Sequence, residues 1–168
     1  HFNVPWRLEE YLPLENIISK NVGGFGARLE ALLDGEVEAA SLLPPQIDMA
    51  NELGLKKIIE NTFHTLWWVD ERTPQHVVDG YLRGLQRAEE ALESNLPRYL
   101  HLWKNAVPPE FADRDWEFSK FSRGEKFINQ PIPRDEFEDV FSQVERWGLD
   151  QHLGERSYDK LVYAMDLA

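Results

Sequence analysis

Leu29-Glu30-Ala31-Leu32-Leu33-Asp34-Gly35-Glu36-Val37-Glu38-Ala39-Ala40-Ser41-Leu42-Leu43-Pro44-Pro45 is the stretch on which the reading of this chain turns. Leu29, Leu32 and Leu33 recur at helical spacing, so Ala27 to Asp34 reads as a helix, and Gly35 suits the left-handed residue that ends one. Val37 to Leu43 then reads as a strand stopped by Pro44-Pro45. Working outward, Ile17 to Val22 is rich in β-branched residues and runs into Gly23-Gly24, a second strand that ends in a glycine turn. Upstream, Arg7 to Tyr11 reads as the end of a short helix broken at Pro13. Downstream, Ile47, Ala50 and Leu53 share one helical face closed by Gly54, and Leu55 to Glu60 returns to strand. Strand and helix alternate through this first third, which predicts a mostly parallel sheet with right-handed crossovers.

The remainder has a different texture. His64 to Val69 reads as a strand, and Thr73-Pro74 opens a long helix whose face carries Val78, Tyr81, Leu82, Leu85, Ala88 and Leu92 until Asn95-Leu96-Pro97 interrupts it. A second helix is expected over Arg98 to Ala106, ending at Pro108-Pro109. The aromatic piece with Phe111, Trp116, Phe118 and Phe121 reads as partly helical, and Gly124 to Ile132 as extended. Phe137, Val140, Phe141, Val144 and Trp147 form one stripe of a helix from Asp135 to Trp147 stopped by Gly148, and a short helix is expected near Tyr158 to Leu167.

Composition narrows the function classes. In 168 residues, 30 acidic side chains against 18 lysines and arginines give a formal net charge of −12, a field that repels phosphate backbones and argues against nucleic acid as a partner. No apolar run approaches the roughly 20 residues that span a bilayer, and His1 to Leu14 does not read as a signal peptide. With no cysteine, disulfides, thiolate metal sites and cysteine nucleophiles are excluded. The missing initiating methionine points to a mature form or an excised piece. No internal repeat of fixed period is present.

The run from Leu29 to Ala40, followed by Pro44-Pro45, Ala50 and Gly54, resembles the second-lobe segment of the nitrate, sulfonate, taurine and thiamine-precursor binding proteins. In that family a helix, a Gly-acid-Val-acid-Ala strand and a proline occur in this order. Thr73-Pro74 with Val77, Val78, Leu82, Ala88 and Asn95-Leu96-Pro97 resembles its long helix after the return to the first lobe. The resemblance covers roughly Glu15 to Ala168. It implies an α/β, type II periplasmic-binding-protein-like fold, a parallel-rich sheet flanked by helices, with a helix-rich C-terminal part. Residues 1–62 would be part of the second lobe, and residues 63–168 the return to the first lobe with C-terminal helices. Complete members begin with most of the first lobe, which nothing here supplies. Leu43-Pro44-Pro45 also departs from the family's frequent Glu-Pro.

The function so implied is the extracytoplasmic solute-binding component of an ATP-driven (ABC) importer. It would be periplasmic or extracellular, would bind a small anion or heterocycle between two lobes and deliver it to a membrane permease, and would need no cofactor. The ligand contacts expected are Gly23, Gly24, Phe25, Pro44, Trp67 and Trp68. The glycines let backbone approach a ligand, and the free amides of the helix beginning near Ala27 can donate to it. An ordinary strand-to-helix turn is an equal reading of the same glycines. Either tryptophan can stack on a planar ligand, though core packing is the commoner use of such rings. Arg28 could pair with an anion, but a solvated helix surface is the simpler role.

Catalytic patterns are missing. His1, His64, His76, His101 and His152 form no H-E-x-x-H, and neither a G-x-S-x-G elbow nor a phosphate-binding G-x-x-x-x-G-K-[ST] loop occurs, so no catalytic or metal residues are expected and the chain is read as a non-enzyme. Acid pairs such as Glu89-Glu90 read as solvated faces. Two alternatives stand beside transport. One is an enzyme of the same fold, of a pyrimidine-forming or menaquinone-pathway type. The other is a helical interaction module built on the second half, which an exposed apolar face over Val78 to Leu92 would favour.

Overall fold

A computed structural model describes residues 3–65, 67, 69–146, 148, 150–152, 154 and 156–162. Its α-helices are α1 (Asn3–Leu8), α2 (Phe25–Leu33), α3 (Gln46–Glu52), α4 (Gln75–Ser94), α5 (Arg134–Arg146) and α6 (Tyr158–Leu161), joined by short 3-10 turns. Chain chemistry explains where the main helices stop. Gly35, Gly54 and Gly148 follow α2, α3 and α5 with φ of 72°, 77° and 66°, a region that costs other residues about 1–2 kcal/mol. Pro74 supplies the carbonyl that accepts from the amides of Val77 and Val78, fixing the first turn of α4.

The expected parallel-rich sheet is not formed. Among the described residues there is no strand, and Ile17 to Val22, Val37 to Leu43, Leu55 to Glu60 and the described part of His64 to Val69 run as irregular chain. The α/β, type II periplasmic-binding-protein-like assignment is therefore corrected to a helical one. The physical reason lies in where the apolar side chains go. β-branched residues favour strands because they pack on a half-buried pleated surface, and without burial that preference has nothing to act on. Ile18 is 92% exposed, and Ile58 and Ile59 also face solvent. No backbone hydrogen bond pairs one of these segments with another among the described residues.

Contacts divide the chain into two units, His1–Asn61 with Ala88–Lys126, and Thr62–Arg87 with Phe127–Ala168, so the boundary falls inside α4. In the first unit, α2 and α3 pack together around Leu29 and Met49, the two fully buried large side chains, with Ala50, Phe111 and Phe121 completing the centre. Phe111, Trp116, Phe121 and Phe118 follow one another edge to face at 5.2–6.4 Å, and the indole N–H groups of Trp103 and Trp116 donate to the carbonyls of Ser122 and Phe111. The aromatic piece is thus core, held by 3-10 turns at Pro109–Phe111 and Phe118–Lys120 rather than by a longer helix. Buried Asp48 on α3 accepts from both the amide and the hydroxyl of Ser122, at 3.0 and 2.8 Å. Arg123 pairs with Glu89, the buried residue of α4, and Lys126 with Glu93.

The second unit is organised by α5. Phe137 and Val144 are buried, Phe137 meets Phe141 and Tyr158, and the Tyr158 hydroxyl donates to the Ile132 carbonyl at 2.6 Å. Of the expected helical stripe, Phe137, Val140, Phe141 and Val144 lie on this element, but Val140 is 54% exposed and so faces away from the packed side, whereas Trp147 falls outside the described residues. The later part of the helix expected to Leu167 does too.

Candidate ligand site

The glycine turn is built by the start of α2. Gly24 is its N-cap in extended conformation, and Gly23 adopts a φ of 106°, open to glycine and strained for other residues. The Asn21 side chain accepts from the Gly23 amide at 3.1 Å, fixing the turn from its upstream side. Arg28 accepts no ligand role as simple as ion pairing. Its Nε donates to the Gly23 carbonyl at 3.3 Å, its Nη1 donates to the Ser41 carbonyl at 3.2 Å, and its guanidinium lies 4.6 Å over the Phe25 ring. One side chain therefore gathers Gly23, Phe25 and the segment leading from Ser41 to Pro44, residues that the sequence places far apart.

The amides of the first turn of α2, Phe25, Gly26 and Ala27, have no hydrogen-bond acceptor among the described residues, as a helix start leaves them. Gly26 has a separate packing duty, because a Cβ there would fall 2.8 Å from Cβ of Pro108 and 3.4 Å from a carboxylate oxygen of Glu110. That acidic group beside the helix start complements the dipole and lowers the appeal of the site to an anion. Pro44 joins Pro45 through a cis peptide bond, and its Cβ lies 3.8 Å from where a Cβ on Gly124 would stand.

Of the expected ligand contacts, Gly23, Gly24, Phe25 and Pro44 thus belong to the first unit. Trp67 belongs to the second, where it is 63% exposed and meets Tyr81 of α4 edge to face with ring centroids 5.6 Å apart. Trp68 lies outside the described residues. The sequence offers Arg28 as an anion partner or a solvated surface; its tethering role depends on a carbonyl 13 residues away, which no local pattern marks. Its spacing places Tyr81 on the apolar face of a long helix, and the structure leaves it 52% exposed.

A depression of about 460 Å³ lies beside α3, lined by Asp48, Asn51, Glu52, Glu117, Lys120 and Phe121. Four of its polar groups are already engaged. Glu52 accepts from the Glu117 amide at 3.1 Å, Glu117 pairs with Lys120 at 2.6 Å, and Asp48 is spent on Ser122. The hydrogen bond and charge of Glu117 raise the Lys120 pKa above its ordinary value. In the second unit His64 contacts Glu136 across 72 residues of sequence, a pair that the sequence did not reveal. An imidazole and a carboxylate are two parts of an acid–base device, but no nucleophilic side chain bonds to His64 among the described residues. Among those residues no cluster of three or more histidines and carboxylates is placed to hold a metal, and no helix is long and apolar enough to cross a membrane.

No protein-family model, curated protein or solved structure matches the chain.

Proposed function

We propose that this chain captures a small molecule without transforming it, as the extracytoplasmic solute-binding component of an ATP-driven importer that hands its ligand to a membrane permease. The observation that carries this reading is the gathering by Arg28 of the glycine turn, Phe25 and the Ser41 carbonyl. Exposed backbone donors, an aromatic ring and a fixed neighbouring loop are the components from which a specific polar pocket is assembled. The ligand sits against this turn, with Gly23, Gly24, Phe25 and Pro44 as its contacts, and no strand ends are required. Of the two ligand classes the resemblance implies, the local charge favours a neutral heterocycle with acceptor nitrogens over an anion. Arg28 is committed to two carbonyls, and Glu110 stands near the first turn of α2.

A thermal-shift screen against aminopyrimidines, sulfonates, nitrate, bicarbonate and aromatic carboxylates tests the proposal, because a ligand held by the native state raises its apparent stability. The reading expects a saturable rise with an aminopyrimidine, recovered chemically unchanged, and a weaker rise in Arg28→Ala. Recovery of a product would replace it with an enzyme, and a flat response to the whole panel would contradict it.

One observation favours a second reading, an interaction module. On α4 Val77 and Tyr81 are 49% and 52% exposed, and Glu89 is its one buried residue. Binding of an apolar dye by the folded chain, abolished in the Val77→Lys and Tyr81→Lys double variant, would support that reading, and undiminished dye binding would remove its basis.

A further inference from the structure

Lys56-Lys57 is the one place in the chain where two lysines or arginines adjoin. The pair follows α3 and the positive-φ Gly54 that ends it, and stands in irregular chain whose residues 56–60 are all exposed. Among the described residues from Lys56 to Val69, no backbone N–H or C=O takes part in a hydrogen bond. Most other lysines and arginines lie in helices or 3-10 turns. Of those that do not, Arg72 is held by Asp70, Arg123 by Glu89, Lys126 by Glu93 and Arg156 by Glu145. Lys20 stands alone and is tied to Glu36 across 16 residues of sequence.

An endoprotease takes its substrate as an extended strand and bonds to the strand's main-chain groups. A run whose backbone bonds to nothing else can enter such a cleft without first being unfolded, which is why exposed loops are the preferred places for nicking. Proteases of the trypsin class add a pocket with a carboxylate at its base that accepts a lysine or arginine side chain. Lys57 already pairs with Glu60 at 2.8 Å, but both side chains are exposed, and an ion pair of that kind contributes little and gives way to the enclosed carboxylate. Two adjoining lysines present the pocket with two successive registers in the same accessible run.

We infer that Lys56-Lys57 is a cleavage site for a serine endoprotease with an acidic specificity pocket, and that the chain cut there persists as an assembled two-chain protein. Hydrolysis of the Lys57–Ile58 peptide bond consumes one water. Its hydroxyl goes to the carbonyl carbon of Lys57 and its proton to the nitrogen of Ile58, and the new ends ionise to a carboxylate and an ammonium. The two pieces stay together because the core of the first unit is built from both. Leu29 and Met49 lie on one side of the cut, and Phe111 and Phe121, in the same cluster, on the other. The bonds from Ser122 to Asp48, from the Glu117 amide to Glu52 and from Arg7 to Asn61 also join the two pieces. This inference is independent of the glycine-turn reading, because it uses neither the α2 start nor the importer assignment.

The test treats the full chain with trypsin at a low, fixed ratio and follows the products by intact mass. The expected first cut falls after Lys56 or Lys57, and the nicked protein elutes from a native sizing column where the parent does, its pieces parting only in denaturing urea. The Lys56→Gln and Lys57→Gln double variant, whose far-UV circular dichroism stays that of the parent, should be cut more slowly by on the order of tenfold, since cleavage then waits on less accessible sites. A first cut at Lys20, Arg72 or any other residue, an undiminished rate of first cutting in the double variant, or pieces that elute apart under native conditions would each overturn the inference.

Discussion

At the residue scale, glycines with the same backbone conformation separate into two kinds by what surrounds them. Gly54 and Gly124 both have positive φ, 77° and 81°, but a Cβ at Gly54 would meet nothing, whereas at Gly124 it would lie 2.7 Å from the indole of Trp103. Gly54→Ala should therefore cost only the backbone strain, about 1–2 kcal/mol. Gly124→Ala adds the displacement of a ring whose N–H is bonded to Ser122, a further ~1–3 kcal/mol. Urea denaturation of the two variants checks the difference, and equal midpoints would mean that Trp103 is not seated against Gly124. Asp70 offers a pH test at the same scale. Its folded pKa is lowered to about 2, first by the side-chain hydrogen bond from Arg72 and then by its backbone amide. A lowered carboxyl pKa stabilises the turn above the ordinary aspartate range, and that contribution fades as pH falls through the folded value. The Asp70 carboxyl carbon should accordingly titrate near pH 2, and Arg72→Ala should return it toward the ordinary value.

At the element scale, α4 carries two glycines where a helix former would be expected. Since nothing occupies the space beside Gly80 or Gly84, Gly80→Ala and Gly84→Ala should each stabilise the chain by about 1 kcal/mol, read as a raised urea midpoint. A loss of stability would show that something packs against those backbones. The helices were legible in the sequence because their signals are local. Gly35 and Gly54 mark the ends of α2 and α3, Thr73-Pro74 precedes α4, and the stripe of Phe137, Val140, Phe141 and Val144 lies on α5, with only Val140 turned to solvent. The sheet was a misreading because β-branched runs such as Ile17 to Val22 are informative only when neighbours exist to pair with, and pairing is a long-range property. Amide exchange separates the two cases. Amides in 17–22, 37–42 and 56–60 lack ladder bonds and should exchange rapidly, while those in the middle of α2 should be protected by hydrogen bonds and by the buried Leu29. Protection of the former as a cooperative group would restore a sheet.

On the scale of the whole molecule, burial is uneven. Among the described residues nine hydrophobic side chains are buried while eighteen large ones are exposed, so the core is small for the apolar content of the chain. The first unit concentrates its order around α2, α3 and the aromatic turns, and that order places the glycine turn; the second gathers around α5 and carries the edge-to-face pair of Trp67 and Tyr81. The candidate site was partly legible. Gly23 and Gly24 stood out by their position before a helix, but the link from Arg28 to Ser41 required the folded chain. The strong negative charge bears on the same question, since it disfavours anions that lack a dedicated cation. The measurement that tests ligand capture most directly is a nitrogen–proton correlation spectrum of the chain titrated with an aminopyrimidine. Saturable shifts at the amides of Gly24, Phe25, Gly26 and Ala27, reduced in Arg28→Ala, are the predicted result. Shifts confined to other residues, or none at all, would contradict it.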